Sequence, residues 1–145
     1  MTIARLFNTV GPRQTGRYGM VLPRFIAAAK AGEPLRVFGD GAQSRCFCLV
    51  HDVVEALVRL QKSDAARGEI FNIGGTEEIS ILELAKLVVA TLDSKSQIEL
   101  IPYDQAYAPG FDDMRRRKPL VEKLERCVNF KPQTALREII QLTAG

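Results

Sequence analysis

The stretch Val37-Phe38-Gly39-Asp40-Gly41-Ala42-Gln43-Ser44-Arg45, continued by Cys46-Phe47-Cys48-Leu49-Val50-His51-Asp52, constrains the chain more than any other. It reads as a short apolar strand, a two-glycine turn, one arginine, an alternating strand and the start of a helix. A chain built around it alternates strands with helices. Gly39 and Gly41 let the backbone take positive φ or approach a ligand closely, and Arg45 presents a fixed fork of donors suited to phosphate oxygens. Two readings of these residues stand side by side: a seat for a diphosphate, and a surface hairpin whose arginine is solvated.

At 145 residues the chain is long enough for one domain with a real core, spanning 1–145, and too short for two ordinary ones. No apolar run approaches the ~18 residues needed to span a bilayer, and no charged-then-apolar leader opens the sequence, so a cytoplasmic protein off the membrane is expected. Cys46, Cys48 and Cys127 are odd in number. Cys46 and Cys48 flank a single residue, which fits neither a disulfide framework nor a C-x-x-C metal or redox site, so reduced thiols on a strand around Phe47 are expected. The net charge of +3 owes much to one run, Arg115-Arg116-Arg117-Lys118. Basic residues are not spread over a face with aromatics between them, as nucleic-acid binders usually require, so a small anionic ligand fits better than a polymer.

Hydrophobic periodicity and capping signals give the order of elements. Thr2 to Phe7 reads as a buried strand, apolar on both faces. Asn8 to Arg17 is a loop by its Gly and Pro content, placed at the strand's carboxyl end where open α/β sheets bind ligands. Asn8, at that strand end, suits a phosphate or sugar hydroxyl and equally suits capping a turn. Helices are expected from Pro23 to about Ala31, closed by Gly32 and Pro34, and from Asp52 to Gln61, with Asp52 as cap. A capping box, Ser80-Ile81-Leu82-Glu83, opens a third, running to about Thr91. Pro119 to Cys127, stopped at Asn129, and Thr134 to Leu142 complete the helices. Further strands are expected at Leu35–Phe38, Glu69–Ile73 and Ile98–Ile101.

This is a mixed α/β pattern. It carries no G-x-G-x-x-G between strand and helix, no P-loop and no Ser/His/Asp set. The sole histidine, His51, directly precedes a helix and reads as structural. General acid–base chemistry would fall to tyrosine, carboxylates or lysine, and no Tyr-x-x-x-Lys spacing is present.

Several spaced motifs, taken together, resemble one family. Arg5-Leu6-Phe7-Asn8-Thr9-Val10-Gly11-Pro12-Arg13, the segment Gly32 to Gly41, Arg45 with Val50-His51-Asp52-Val53-Val54-Glu55-Ala56-Leu57, and Phe71-Asn72-Ile73-Gly74-Gly75 are similar in content and order to the NAD-dependent nucleotide-sugar epimerases and dehydratases, the extended short-chain dehydrogenases. The tail, Phe111-Asp112-Asp113-Met114-Arg115-Arg116-Arg117-Lys118-Pro119 and then Asn129-Phe130-Lys131-Pro132, resembles the end of UDP-glucose 4-epimerases and UDP-glucuronate decarboxylases. Leu120 departs from it, standing where an acidic residue more often follows the proline.

The resemblance implies a fold and a site. The fold would be the C-terminal, substrate-binding part of an extended short-chain dehydrogenase, a small mixed sheet with helices, with residues 1–8 a late strand of a Rossmann sheet that is otherwise absent. The ligand would be a UDP- or dTDP-sugar. Asn8 would contact the sugar diphosphate and Arg45 would pair with its phosphates; Val21 and Leu22 would meet the base and ribose, and Val37 and Phe38 the pyrimidine. Asp113 and one of Arg115 to Arg117, with Arg115 taken first, would close over ribose and phosphate.

In the complete family, hydride passes from the sugar C4 to NAD and returns after chemistry on a 4-keto intermediate. The Gly-rich NAD loop and the Tyr-x-x-x-Lys pair that do this are not among these residues. An isolated chain is therefore expected to be inactive and to self-associate through its N-terminal strand or leave that strand displaced. The competing expectation is a stand-alone binding or interaction module without turnover.

Overall fold

The computed structural model describes residues 1–16, 20–102 and 114–145. In chain order the elements are β1 (Ile3–Leu6), β2 (Thr9–Val10), α1 (Val21–Ala31), β3 (Leu35–Phe38), β4 (Ser44–Cys46), β5 (Cys48–Leu49), α2 (Val50–Lys62), a 3-10 turn (Asp64–Ala66), β6 (Ile70–Ile73), β7 (Glu78–Ser80), α3 (Ile81–Thr91), β8 (Ile98–Ile101), β9 (Arg116–Arg117), α4 (Glu122–Val128) and α5 (Leu136–Ala144). The mixed α/β class is as expected, but the strands form several small ladders in place of one sheet. β1 pairs with β6, β2 with β5 and β3 with β8, all parallel, while β4 lies between antiparallel β7 and parallel β9.

The helix ends follow from local chemistry. Pro23 lies in the first turn of α1, and Gly32 ends the helix at φ 71, its N–H closing on the carbonyls of Ala28 and Ala29. Asn129 ends α4 at φ 49. Ser80 Oγ accepts from the Glu83 N–H at 3.2 Å, which is half of the expected capping box. The other half is lost because the Glu83 carboxylate pairs with Lys86 at 2.7 Å.

Three expectations need correction. Thr9 and Val10 are not loop but a short strand, because β5 offers them a parallel partner that local sequence cannot reveal. Asp52 does not cap α2: the helix begins at Val50, putting both His51 and Asp52 inside its first turn, and the Asp52 carboxylate instead accepts from the Thr134 N–H at 3.2 Å. Nor is β1 buried: Ile3 is 42% and Leu6 46% exposed. Among the described residues β1 pairs with β6 alone, and in that register Ile3 and Ile70 sit side by side on the face away from Ala4 and Phe71.

Two apolar cores flank the segment Phe47–Leu49. Phe47 and Leu49 enter the larger, with Leu22, Phe25, Val37, Leu84 and Ile140; Cys48 enters the smaller, with Val53, Phe71, Ile73 and Leu124. The period-2 alternation of an extended segment accounts for the division. Each fully buried Leu, Ile, Val or Phe contributes about 1.5–3 kcal/mol relative to exposure, so these cores fix the frame on which the polar residues sit.

Candidate functional site

Asn8 stands where β1 ends and β2 begins. Its φ of 37 lies in the left-handed region, which asparagine tolerates better than most residues. Its Nδ2 donates to the Cys46 carbonyl at 2.7 Å and its own carbonyl accepts from the Cys48 N–H at 3.2 Å. Asn8 therefore stitches the end of β1 to the junction of β4 and β5, and its Oδ1 has no hydrogen-bond partner among the described residues.

Arg45 lies in β4, one residue from that stitch. Its Nη1 donates to the carbonyls of Ser44 and Met114, both at 2.7 Å, so the guanidinium is held in place by main chain. The bond to Met114 brings the tail beside the two-glycine hairpin, and Ser44 N–H to Arg115 O at 2.8 Å continues the contact. The reading of Arg45 as a merely solvated hairpin residue does not describe this geometry.

Around β4 the side chains divide by parity. In the two ladders Ser44 is opposite Ser80 and Arg116, Cys46 is opposite Glu78, and Arg45 is opposite Ile79 and Arg117. Opposed residues share a face, so Ser44, Glu78 and Arg116 lie on one side and Arg45 with Arg117 on the other. On the first side Ser44 Oγ donates to Glu78 Oε1 at 2.5 Å, while Arg116 Nε and Nη2 grip the two oxygens of Glu78 at 2.8 and 2.9 Å. The Arg116 and Ser44 hydrogen bonds pull the Glu78 pKa down to about 2. On the second side the Arg117 guanidinium lies 5.3 Å from the Phe7 ring centroid, next to Asn8 in sequence. Glu78 was not singled out from sequence, and Arg117 was one of three candidates with Arg115 taken first; the short alternation Glu78-Ile79-Ser80 before a helix cap was the available signal for Glu78.

The other expected residues are placed differently. Leu22 and Val37 are fully buried in the larger core, so any ligand contact they make is through main chain. Val21 is partly buried against the same core. Phe38, half-buried at the end of β3, has the Arg24 guanidinium 5.4 Å from its ring centroid. Arg115 is exposed and joins the β4–β9 ladder through its carbonyl. Asp113 lies outside the described residues. The structure thus brings Asn8, Arg45 and Arg117 to one neighbourhood, while Val21, Leu22 and Val37 belong to or pack on the larger core and Phe38 meets Arg24.

Burial raises the Cys46 thiol pKa, with Glu78 adding to it, and desolvation with the nearby Asp52 charge pushes Cys48 up to about 12. Both are core thiols, unsuited as nucleophiles. No group of His, Cys, Asp and Glu fit to hold a metal occurs among the described residues.

Among the described residues no glycine-rich turn opening a helix offers a seat for a dinucleotide. Its pyrophosphate needs a glycine-rich turn opening a helix. β5 runs directly into α2 without such a turn, and Gly74-Gly75 after β6 is filled by protein: a Cβ on Gly75 would lie 2.0 Å from the Phe47 carbonyl oxygen, and one on Gly74 2.8 Å from Phe7 Cβ. What the arrangement can do is hold a compact anion with side-chain amide and guanidinium donors.

This α/β chain sets Asn8 at the end of β1 and opposes Arg45 and Arg117 on one face of β4 and β9. Comparison narrows the class. The model of the NAD dependent epimerase/dehydratase family matches residues 1–74, and the chain belongs to that family. It is 42% identical to UDP-N-acetyl-alpha-D-glucosaminuronate decarboxylase of Bacillus cytotoxicus, over 97% of this chain and 45% of that protein. It is 41% identical to UDP-glucuronic acid decarboxylase 4 of Arabidopsis thaliana, over 97% of this chain and 30% of that protein. The chain therefore spans less than half the length of these curated relatives. Among solved structures, UDP-glucuronic acid 4-epimerase from Bacillus cereus, in complex with UDP-glucuronic acid and NAD, superposes with a TM-score of 0.84 at 25% identity, over 99% of this chain and 43% of that one. UDP-glucose 4-epimerase from Thermotoga maritima, with UDP-glucose, gives 0.85 at 28% identity, over 99% and 44%.

Proposed function

We propose that this chain is the sugar-nucleotide-binding portion of an NAD-dependent epimerase, dehydratase or decarboxylase that acts through a 4-keto sugar. The observation that carries this reading is the corner where Asn8, strained to φ 37, is hydrogen-bonded to the Cys46 carbonyl beside Arg45, while Arg117 shares the Arg45 face. A sugar diphosphate needs donors for two phosphates at short range, and amide plus guanidinium forks supply them. Phe38 and the main chain at Val21, Leu22 and Val37 form the wall against which the base rests, and Asp113 and Arg115 belong to the segment that completes the site. The nicotinamide chemistry belongs to sequence outside these residues, which hold and orient the substrate. Cytoplasm is the compartment that fits; no helix among the described residues is long and apolar enough to cross a membrane.

Calorimetry tests the reading. UDP and UDP-glucuronate are expected to bind the 145-residue chain, and no turnover is expected when NAD and UDP-sugars are supplied to it. Absence of binding would overturn the substrate assignment, and turnover would overturn the division of labour between this part and the rest.

The same reading bears on β1. Among the described residues β1 pairs only with β6, and a groove of about 310 Å³ between β1 and α2 is lined in part by Thr2, Ala4, Leu57 and Leu60, with Val54 and Leu57 exposed nearby. An apolar edge of this kind is a template for another strand. The isolated chain is expected to self-associate through β1, with light scattering showing a mass that rises with concentration. A monomer at high concentration would refute it.

A further inference from the structure

We propose that Glu78 and Arg116 are positioning residues: their ion pair fixes the register of β9 on β4 so that Arg45 and Arg117 face one anion together. The inference rests on the reading of Arg45 as a diphosphate anchor and deepens it.

β9 has only two residues, too few to hold a register by main-chain pairing alone. A slip of one residue would turn every side chain to the opposite face, putting Arg116 beside Arg45 and swinging Arg117 toward Glu78. The basic run offers a cation to Glu78 in several registers, so composition does not choose among them. Three contacts agree on one register. Arg116 grips both oxygens of Glu78, which is itself held by Ser44 Oγ; Arg117 lies over Phe7; and Arg45 holds the Met114 carbonyl two residues before β9.

That register sets two arginines directly opposite each other on one face. Like charges so placed repel across a ladder, and Arg117 has no acidic partner among the described residues. The Glu78–Arg116 pair on the far face holds that register, and an anion with two phosphates on the near face can meet both guanidinium groups. Glu78 and Arg116 therefore act on the ligand without touching it, and Arg117, rather than Arg115, is the second cation of the site.

Charge exchange tests this in the whole chain. Glu78→Gln and Arg116→Glu are each expected to weaken UDP binding about threefold to tenfold, and the double exchange Glu78→Arg with Arg116→Glu to restore it to within about twofold of the parent. Arg117→Ala is expected to weaken binding about tenfold, and by more than Arg115→Ala does. A second readout needs no ligand: the Ser44 amide, bonded to Arg115 O, is expected to exchange its hydrogen several-fold faster in Glu78→Gln. If the parent fails to bind UDP, the proposed function falls, and unchanged Ser44 exchange in Glu78→Gln then overturns the latch as well. If the parent binds and Arg45→Ala weakens it while Glu78→Gln leaves affinity unchanged, the positioning role is wrong and the anchor stands. Failure of the double exchange to rescue either readout would also overturn it.

Discussion

Replacing Gly75 by alanine is expected to destabilise the protein by about 3 kcal/mol or more, or to prevent folding outright. The added Cβ would fall 2.0 Å from the Phe47 carbonyl oxygen and 3.1 Å from its carbonyl carbon. Both are backbone atoms of the segment that separates the two cores, so no side chain can rotate away. Relief requires Phe47–Leu49 to move, which disturbs the β2–β5 ladder and both cores at once. Gly68→Ala is the control: its φ of 80 strains any side chain, but nothing lies within 4 Å, so the cost is about 1–2 kcal/mol. Urea denaturation followed by circular dichroism measures both. Equal midpoints for the two variants would mean that the approach at Gly75 relaxes freely.

Arg45→Ala is expected to weaken UDP binding roughly tenfold to a hundredfold, since a charge-assisted fork contributes ~1.5–3 kcal/mol. The structure adds a reason for the upper part of that range. Arg45 also holds the Met114 carbonyl, so the truncation loosens the segment that carries Arg117. Arg45→Lys keeps the charge but loses the fork and is expected to recover only part of the affinity. Calorimetry distinguishes the three. Equal affinity in parent and Arg45→Ala would return Arg45 to a purely structural role on its hairpin.

Much of this was legible in the sequence where the signal is local. The α1 stop at Gly32 and the α4 stop at Asn129 need only a residue that tolerates positive φ, and both fall as expected. β3 and β8 match the expected spans because each is a four-residue segment with three apolar residues and one charged one, bounded by polar or turn residues. Asn8 and Arg45 stood out because their residue types and positions suit an anion. The tail was less legible, as a run of four basic residues presents the same chemistry at every position.

The amino-acid sequence by itself determined the mixed α/β class, the stops of α1 and α4 and, through its spaced motifs, the family. Those features depend on neighbours along the chain. Only the tertiary structure decided that Thr9–Val10 is strand, which side chains of β1 are exposed, and that Arg116 turns to Glu78 while Arg117 turns to the Arg45 side. Each of these depends on which segment lies alongside, and strand partners here are set by cores and ladders joining residues far apart in sequence.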